Sequence, residues 1–390
     1  MAWFYWISGI FLALAWFSRV VDAAIGMPGV PDLGKPEWDA PPADFAWPRV
    51  SIIVPACNEE ETIAEALTRL LNLDYPNCEI LAINDRSTDR TGALMDQIVA
   101  RAPSGGRLQV IHISELPAGW MGKTHAMWTA AQKATGDWLL FTDGDVLFRA
   151  DTLRRVMAYA EHEPADHVVL FPTMIMKSPG ECMMMAFFQT LFVFGHRPWK
   201  VADPKTKDHM GVGAFNLVRR RVYESVGTYK ALKMEVVDDM KLGKVIKESG
   251  FAQRNVFGDR MISIRWAVGA LGIVRNLTKN FFAIMSFQWW RAVAGTAVLV
   301  FVNLAPFVGV WLAVGWSRLP YAIALVSMFA IYAGMSMKSR IPAYYFLLHP
   351  VSTVLFGYAV MRSMIHTLRQ GGVVWRGTKY PLDELRKGLV

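Results

Sequence analysis

"GDWLLFTDGDVLF", residues Gly136–Phe148, decides how this chain is read. A short run of strand-forming apolar residues ends in two acids, Asp143 and Asp145, one residue apart. Residues i and i+2 of a strand point to the same side. Two like charges held together repel and resist desolvation. Water or a positive group must therefore lie between them. One reading is a plain turn, since Asp-Gly-Asp is a common loop start. The other is a shared divalent cation, Mg2+ or Mn2+. Such ions prefer oxygen ligands, and combine one or two carboxylates with substrate phosphates.

Working outward, the surrounding pattern alternates strand and helix. "VSIIVPA" (Val50–Ala56) is a β-branched run suited to a buried parallel strand. "NEEETIAEALTRLLNL" follows with helical spacing, its apolar face made by Ile63, Leu67, Leu70 and Leu71. "CEILAIND" and "LQVIHIS" are further strands. "STDRTGALMDQIVARA", with Ser87 or Asp89 near its cap, and "GKTHAMWTAAQKAT" are further helices. The alternation predicts an α/β fold, a doubly wound parallel sheet that binds ligands beyond the carboxyl ends of its strands. Three such ends carry acids or amides: Pro55–Glu59, Asn84-Asp85 and Asp143–Asp145.

The whole chain is too apolar for an ordinary soluble protein. Of its 390 residues, 53% are hydrophobic, yet 19% are charged. One soluble domain plus membrane segments accounts for both figures. The net charge of +8 is uneven: residues 260–382 contain no Asp or Glu but twelve Lys and Arg. A basic excess confined to the apolar half suits anionic lipid head groups. The acidic soluble part argues against nucleic-acid binding. Cys57, Cys78 and Cys182 show no C-x-x-C spacing, so they support neither a zinc site nor a disulfide framework.

Ala2–Phe17 is apolar and aromatic-rich. It lacks a basic leader and a clear cleavage site, and reads as a membrane anchor with Arg19 on the cytoplasmic side. Met27–Pro48 is rich in Pro, Gly, Asp and Trp and reads as an extended linker. Ala292–Trp316, Leu319–Met337 and Ile341–Ile365 are each near the length a bilayer needs. The cation- and aromatic-rich segment before them reads as interfacial helices. "SPGECMMMAFFQTLFVFG" (Ser178–Gly195) is either a buried core helix or a membrane-dipping wall for a lipid acceptor. One anchor and three spans return the tail to the starting side, whereas Arg369, Arg376, Lys379, Arg386 and Lys387 favour the cytoplasm. Either one span is re-entrant or interfacial, or the tail departs from the charge rule.

Two further features bear on chemistry. "MEVVDDMKLGKVIKESG" sets Asp238 and Asp239 ahead of a helical run. One of them is a candidate general base, or both are acids favoured by a helix dipole. In "AGWMGKTHA", Gly119 and Gly122 let the backbone pass close to a ligand, leaving Lys123 to meet phosphate or sugar, or else to sit solvated on a loop.

Val50–Glu59, "NDRSTDRTG" (84–92), "DGD" (143–145), "GAFNLVRRRVYESVGTY" (213–229) and "VDDMKLG" (237–243) together resemble family 2 glycosyltransferases of the GT-A fold, in that family's order. "GWMGKTHA", the flanking spans and "WRGTKY" near the end resemble a narrower group: membrane-bound hopene-associated and carotenoid glycosyltransferases, cousins of ceramide glucosyltransferase. The resemblance implies that Pro55 and Glu59 lie against the nucleotide and that Asp85 contacts the uracil or ribose. Asp143 would contact the ribose or a metal-bound water, Asp145 would hold the metal, and Asp239 would be the base. The Asp238-Asp239 pair stands where the family has Glu-Asp. Ile262 replaces the polar residue of the Gln- or Arg-x-x-Arg-Trp motif, so Arg265 either approaches the diphosphate or forms an interfacial pair with Trp266.

The expected plan is an anchor over 1–24, a linker over 25–48, a GT-A domain over 49–260, interfacial helices over 261–291, transmembrane helices over 292–365 and a basic tail over 366–390. The expected activity is metal-dependent, inverting transfer from a nucleotide sugar, a UDP-sugar first, to a lipid hydroxyl. The expected setting is a bacterial inner (plasma) membrane with the catalytic domain cytoplasmic. Transfer to polyprenyl phosphate is the alternative reaction. A catalytically inactive membrane scaffold is the alternative from another class.

Overall fold

The computed structural model describes residues 2–39, 41, 45–101 and 106–389. Met1 of the anchor, linker residues 40 and 42–44, Ala102 at the end of the second expected helix and Val390 of the tail lie outside them. The chain divides into two compact units. One comprises residues 30–175, 200–265 and 375–390; the other comprises 1–29, 176–199 and 266–374.

In the first unit the expected alternation is realised. Strands β1 (Val50–Ala56), β2 (Cys78–Asp85), β3 (Leu108–Ile113) and β4 (Trp138–Phe141) pair in the order β3-β2-β1-β4, all parallel. Three short strands follow along the chain: β5 (Leu147–Phe148), β6 (His167–Leu170) and β7 (Thr173–Met174). β8 (Asn216–Arg219), β9 (Gln253–Val256) and β10 (Ile262–Ile264) come next, and near the C-terminus the strands Gly372–Trp375 and Thr378–Pro381 form a separate two-stranded sheet. The main sheet continues β4-β8-β6-β9, with β8 antiparallel to both neighbours and β6-β9 parallel. A second small sheet is ordered β5-β10-β7. The fold is thus a mixed, mainly parallel GT-A-like sheet.

Both faces of the sheet are covered, which is why its central strands are apolar throughout rather than alternating. Ile52, Val54, Ile80, Ala82 and Leu140 pack on one side with Leu67, Leu70 and Met95. Ile53, Leu81, Ile83, Leu139 and Phe141 pack on the other with Met127, Ala130, Leu242 and Ile246. Part of the expected linker joins this unit. Leu33 is fully buried, its N–H donates to the Phe257 carbonyl at 2.8 Å, and Arg155 donates to the carbonyls of Leu33 and Lys35.

A polar seam crosses the sheet. The fully buried His167 on β6 bonds Asn216 on β8 at 3.1 Å and Gln253 on β9 at 2.7 Å. Gln253 accepts from Met210 N and donates to the carbonyls of Met210 and Gly243. Every polar group here has a partner, and that satisfaction is what makes a buried network tolerable. The seam also anchors the loop that runs from Met210 to Gly213.

The second unit contains four segments long and apolar enough to cross a membrane: Trp3–Gly29, Trp289–Leu312, Gly315–Ser339 and Ala343–Gln370. Its exposed surface carries large apolar side chains, among them Trp3, Trp311, Trp316 and Leu347. Several of its buried polar groups are satisfied within the unit, as a lipid environment favours. Trp16 donates to the Val302 carbonyl, Ser8 bonds Tyr321, and His349 lies between Asn303 and Tyr332. The helix Pro179–Gly195 belongs to this unit and buries Met183, Met184, Met185 and Phe187. Ser178 caps its start, its hydroxyl accepting from Glu181 N, and the Glu181 carboxylate accepts from Lys177 N and Gly269 N. The segment read as interfacial contains the helices Gly269–Thr278 and Phe281–Ile284.

Burial pushes the His167 imidazole down to about 4, against a partial offset from Asn216. A histidine that charges more readily unfolded than folded contributes stability above its unfolded value, near 6.5, and loses it as pH falls toward the folded value. The unfolding midpoint of the detergent-solubilised protein should therefore drop between pH 6.5 and 4, with this group contributing at most about 3 kcal/mol. His167→Gln should flatten that acid limb, as read by thermal melts across pH. An unchanged limb would show that another group sets it.

Candidate active site

The carboxyl ends of β1, β2 and β4 each deliver a loop, and the loops hold one another through side chains. Asn58 N donates to Ser87 Oγ, Glu59 N to Thr91 Oγ1, and Glu60 N to Asp89 Oδ2. The buried Pro55 is the sixth residue of β1 and pairs in register with Ile83. At the end of β2 the buried Asp85 carboxylate receives two bonds from Arg86, at 2.8 and 3.0 Å. Gly144 packs on the end of β1: a Cβ there would lie 3.3 Å from the Pro55 oxygen and from the Ala56 methyl. The Asp143–Asp145 turn therefore seats close to the β1 loop because its middle residue has no side chain.

Lys123 sits in the first turn of the helix Gly122–Lys133 and is largely buried, not solvated. Its ammonium lies 2.7 Å from Asp143 and 3.7 Å from Asp238. Burial alone would lower its pKa, but Asp143, Asp238 and Asp239 together hold it above the ordinary lysine value. Asp238 and Asp239 open the helix Asp238–Glu248, as expected, and differ in surroundings. Asp238 is buried toward Lys123. Asp239 is half-exposed, accepting from Gly213 N and Met240 N at 2.8 Å each.

Gly213 joins these groups. Its carbonyl accepts from Asp143 N, its N–H donates to Asp239, and a Cβ on it would stand 2.6 Å from the Asp143 carboxylate and 3.3 Å from Lys123 Nζ. Gly211 is equally constrained, since a Cβ there would collide with the Asp239 carbonyl. Arg265 follows β10, whose antiparallel register with β5 sets Ser263 opposite Leu147.

The structure thus gathers Glu59, Lys123, Asp143, Asp145, Asp238 and Asp239 into one electrostatic cluster. Asp85 lies at the neighbouring strand end, and Arg265 just past the end of β10 of the small sheet. Sequence reasoning missed Gly213, although it opens a quoted motif, and three residues near the C-terminus. Arg376 pairs with Glu59 and donates to the Asn58 carbonyl at 3.1 Å. Thr378 accepts from Arg86, and the buried Tyr380 accepts from Gly122 N, each at 3.1 Å. Their signal was the "WRGTKY" segment, whose place in the fold no spacing reveals.

The glycosyl transferase family 2 model matches residues 51–227, from β1 past β8. That span of the chain carries a family 2 glycosyltransferase domain. The 4,4'-diaponeurosporenoate glycosyltransferase of Staphylococcus aureus (strain MRSA252) is 22% identical over 352 residues, 87% of this chain and 90% of that protein. Among solved structures, the mannosyltransferase PcManGT from Pyrobaculum calidifontis, in complex with GDP-Man and Mn2+, aligns with TM-score 0.55 and 19% identity over 94% of this chain and 99% of that one. That likeness is one of fold.

The electrostatics of this family 2 site bear on a metal. Asp145 is raised to about 7, by burial first and then by Asp143 and Glu59. Glu59 is raised by burial, with Arg376 opposing. Crowded oxygen donors short of positive charge are a chemistry that a divalent cation fits. Among the described residues no three His, Cys, Asp or Glu side chains form a complete metal site. An ion here would thus draw further ligands from substrate phosphates and water, as Mg2+ commonly does.

Removing the Lys123 charge leaves Asp143 and Asp238 without their nearest compensation. Lys123→Met should destabilise the domain by about 3 kcal/mol, the usual penalty for breaking a buried pair. The double variant Lys123→Met/Asp143→Asn should lose less than the two single variants added together. Thermal or denaturant unfolding of the four proteins measures this coupling, and strict additivity would refute the pairing.

Proposed function

We propose that this family 2 glycosyltransferase transfers a sugar from a nucleotide-sugar donor to a lipid acceptor, with inversion and with the help of a divalent cation. The carrying observation is the cluster of Glu59, Asp143 and Asp145 at the sheet edge beside Asp239, with Lys123 between the two acidic groups. Asp145 and Asp143 are the residues to hold Mg2+ or Mn2+, which when bound would supply positive charge against a departing diphosphate. Pro55, Glu59 and Asp85 are the proposed nucleotide contacts, with Lys123 and Arg265 on the phosphate side.

Asp239 is the proposed base. It is the more accessible of the pair, and its bonds to Gly213 N and Met240 N aim the carboxylate while leaving acceptor capacity. Taking the proton of an acceptor hydroxyl lets that oxygen attack the anomeric carbon in line through an oxocarbenium-like state. A single base on the acceptor side suits inversion. UDP is the proposed nucleotide, although the solved mannosyltransferase carries GDP-Man.

A lipid acceptor is supported by the four long apolar helices in the same chain and by the carotenoid-type substrate in the relative's name. That name also favours a second reading. It specifies an acid, and an ionised acceptor oxygen, like that of a polyprenyl phosphate, needs no base. The bacterial inner membrane, with the catalytic domain cytoplasmic, is the proposed setting. An inactive scaffold is disfavoured because the metal and base carboxylates are all retained.

Asp145→Asn should abolish turnover and the Mn2+ dependence of nucleotide binding. Asp239→Asn should lower transfer to a hydroxyl by about 100-fold or more while leaving nucleotide affinity nearly unchanged. Calorimetric titration with UDP or GDP, with and without Mn2+, reads the first effect. Mass spectrometry of lipids from cells with and without the gene identifies the acceptor on which to read the second. Near-normal transfer to a hydroxyl by Asp239→Asn would remove the base assignment, and near-normal transfer to a carboxylate would select the second reading.

A further inference from the structure

The C-terminal turn touches three separate parts of the candidate donor site. Arg376 and Gly377 both have positive φ, +49° and +77°. This is the two-residue hairpin geometry that favours Asn-Gly or Gly-Gly, because a bulky side chain is strained there. An arginine at the first position runs against that preference. The guanidinium explains its presence: it reaches the Glu59 carboxylate and the Asn58 carbonyl. Asn58 and Arg86 are themselves at positive φ, +56° and +55°. Three unfavourable backbone positions are therefore tied together by side-chain bonds at one edge of the sheet.

Docking of the tail does not need Arg376. Leu385, in the helix Leu382–Lys387, is fully buried, and Gly388 packs tightly on Met234. The Arg376 side chain is itself 40% exposed. Its partners, in contrast, are the loop that carries Glu59, the Arg86 that holds Asp85, and the helix start that carries Lys123.

We infer that Arg376–Tyr380 is a positioning clasp for the nucleotide donor, with Arg376 orienting Glu59, Thr378 orienting Arg86, and Tyr380 capping the Gly122 N–H beside Lys123. The inference rests on the sheet edge being the donor site. None of these residues needs to touch the sugar. Their effect is to hold the nucleotide-facing groups in a binding arrangement before the donor arrives, so that binding does not bear the cost of ordering them.

The test titrates the full-length solubilised protein with UDP or GDP in Mn2+ and records thermal midpoints in parallel. Arg376→Ala should weaken nucleotide binding about tenfold, the scale of a lost charge-assisted contact, with a midpoint shift of no more than about 2 °C. Arg376→Lys should recover part of the affinity. Lys387→Ala, which removes one charge from the same tail away from the clasp, should bind like the wild type. Unchanged affinity in Arg376→Ala beside normal wild-type binding overturns the clasp alone. Equal losses in Arg376→Ala and Lys387→Ala overturn it too, as a bulk charge effect, and so does a large midpoint loss that tracks the affinity. Absence of nucleotide binding by the wild type overturns the donor-site reading and the clasp together.

Discussion

The Lys123 ammonium stands 2.7 Å from Asp143 and 3.7 Å from Asp238, and through these contacts two acidic loops distant in sequence are held in one site. Without an internal cation, the acids at the end of β4 and at the start of the helix Asp238–Glu248 would repel across a partly dry space. With it, one positive group serves both. Gly213 makes the arrangement sterically feasible, since any side chain there would press on the Asp143 carboxylate. The polar seam of His167, Asn216 and Gln253 then holds the loop leading to Gly213.

Lys123 does not neutralise the site completely. Asp145 keeps its proton to about 7 because burial, Asp143 and Glu59 all disfavour its charge. The remaining deficit of positive charge is the physical basis for proposing a divalent ion and a phosphate-bearing substrate here. Arg376 supplies another cation from the far end of the chain, so the electrostatic balance of the edge depends on residues more than 300 positions apart.

The unit of apolar helices follows a different logic. Its surface is rich in exposed Trp, Leu, Val and Phe, which would be unfavourable in water and suits lipid. Inside, buried polar groups bond one another or the backbone, as in the His349, Asn303 and Tyr332 set and the Thr190 and Thr353 hydroxyls. The helix Pro179–Gly195 illustrates how two readings of one sequence are separated. Its composition suited either a core or a membrane-facing wall, and its methionines and Phe187 lie buried among the other helices of that unit.

Much of this was legible in the chain because the signals are local. The β-branched runs of β1 and β2, the helical spacing after each, and the acids at the strand ends follow from short-range periodicity and residue chemistry, and the structure reproduces them. The long apolar segments were equally plain, since length and hydropathy decide them. The strands β8, β6 and β9 were not identified as sheet members, for they are four residues each and take their order and direction from pairings distant in sequence. Lys123 illustrates the same divide at the site: its flanking glycines suggested a ligand, but its burial between Asp143 and Asp238 depends on how three elements converge. Local order along the chain was enough to specify the fold class, the apolar spans and the identity of the acidic groups, because periodicity and side-chain chemistry are properties of neighbours. Which charges compensate one another, and that the terminal turn reaches Glu59, emerged from the folded arrangement, because those contacts are set by packing across the sheet edge rather than by spacing along the chain.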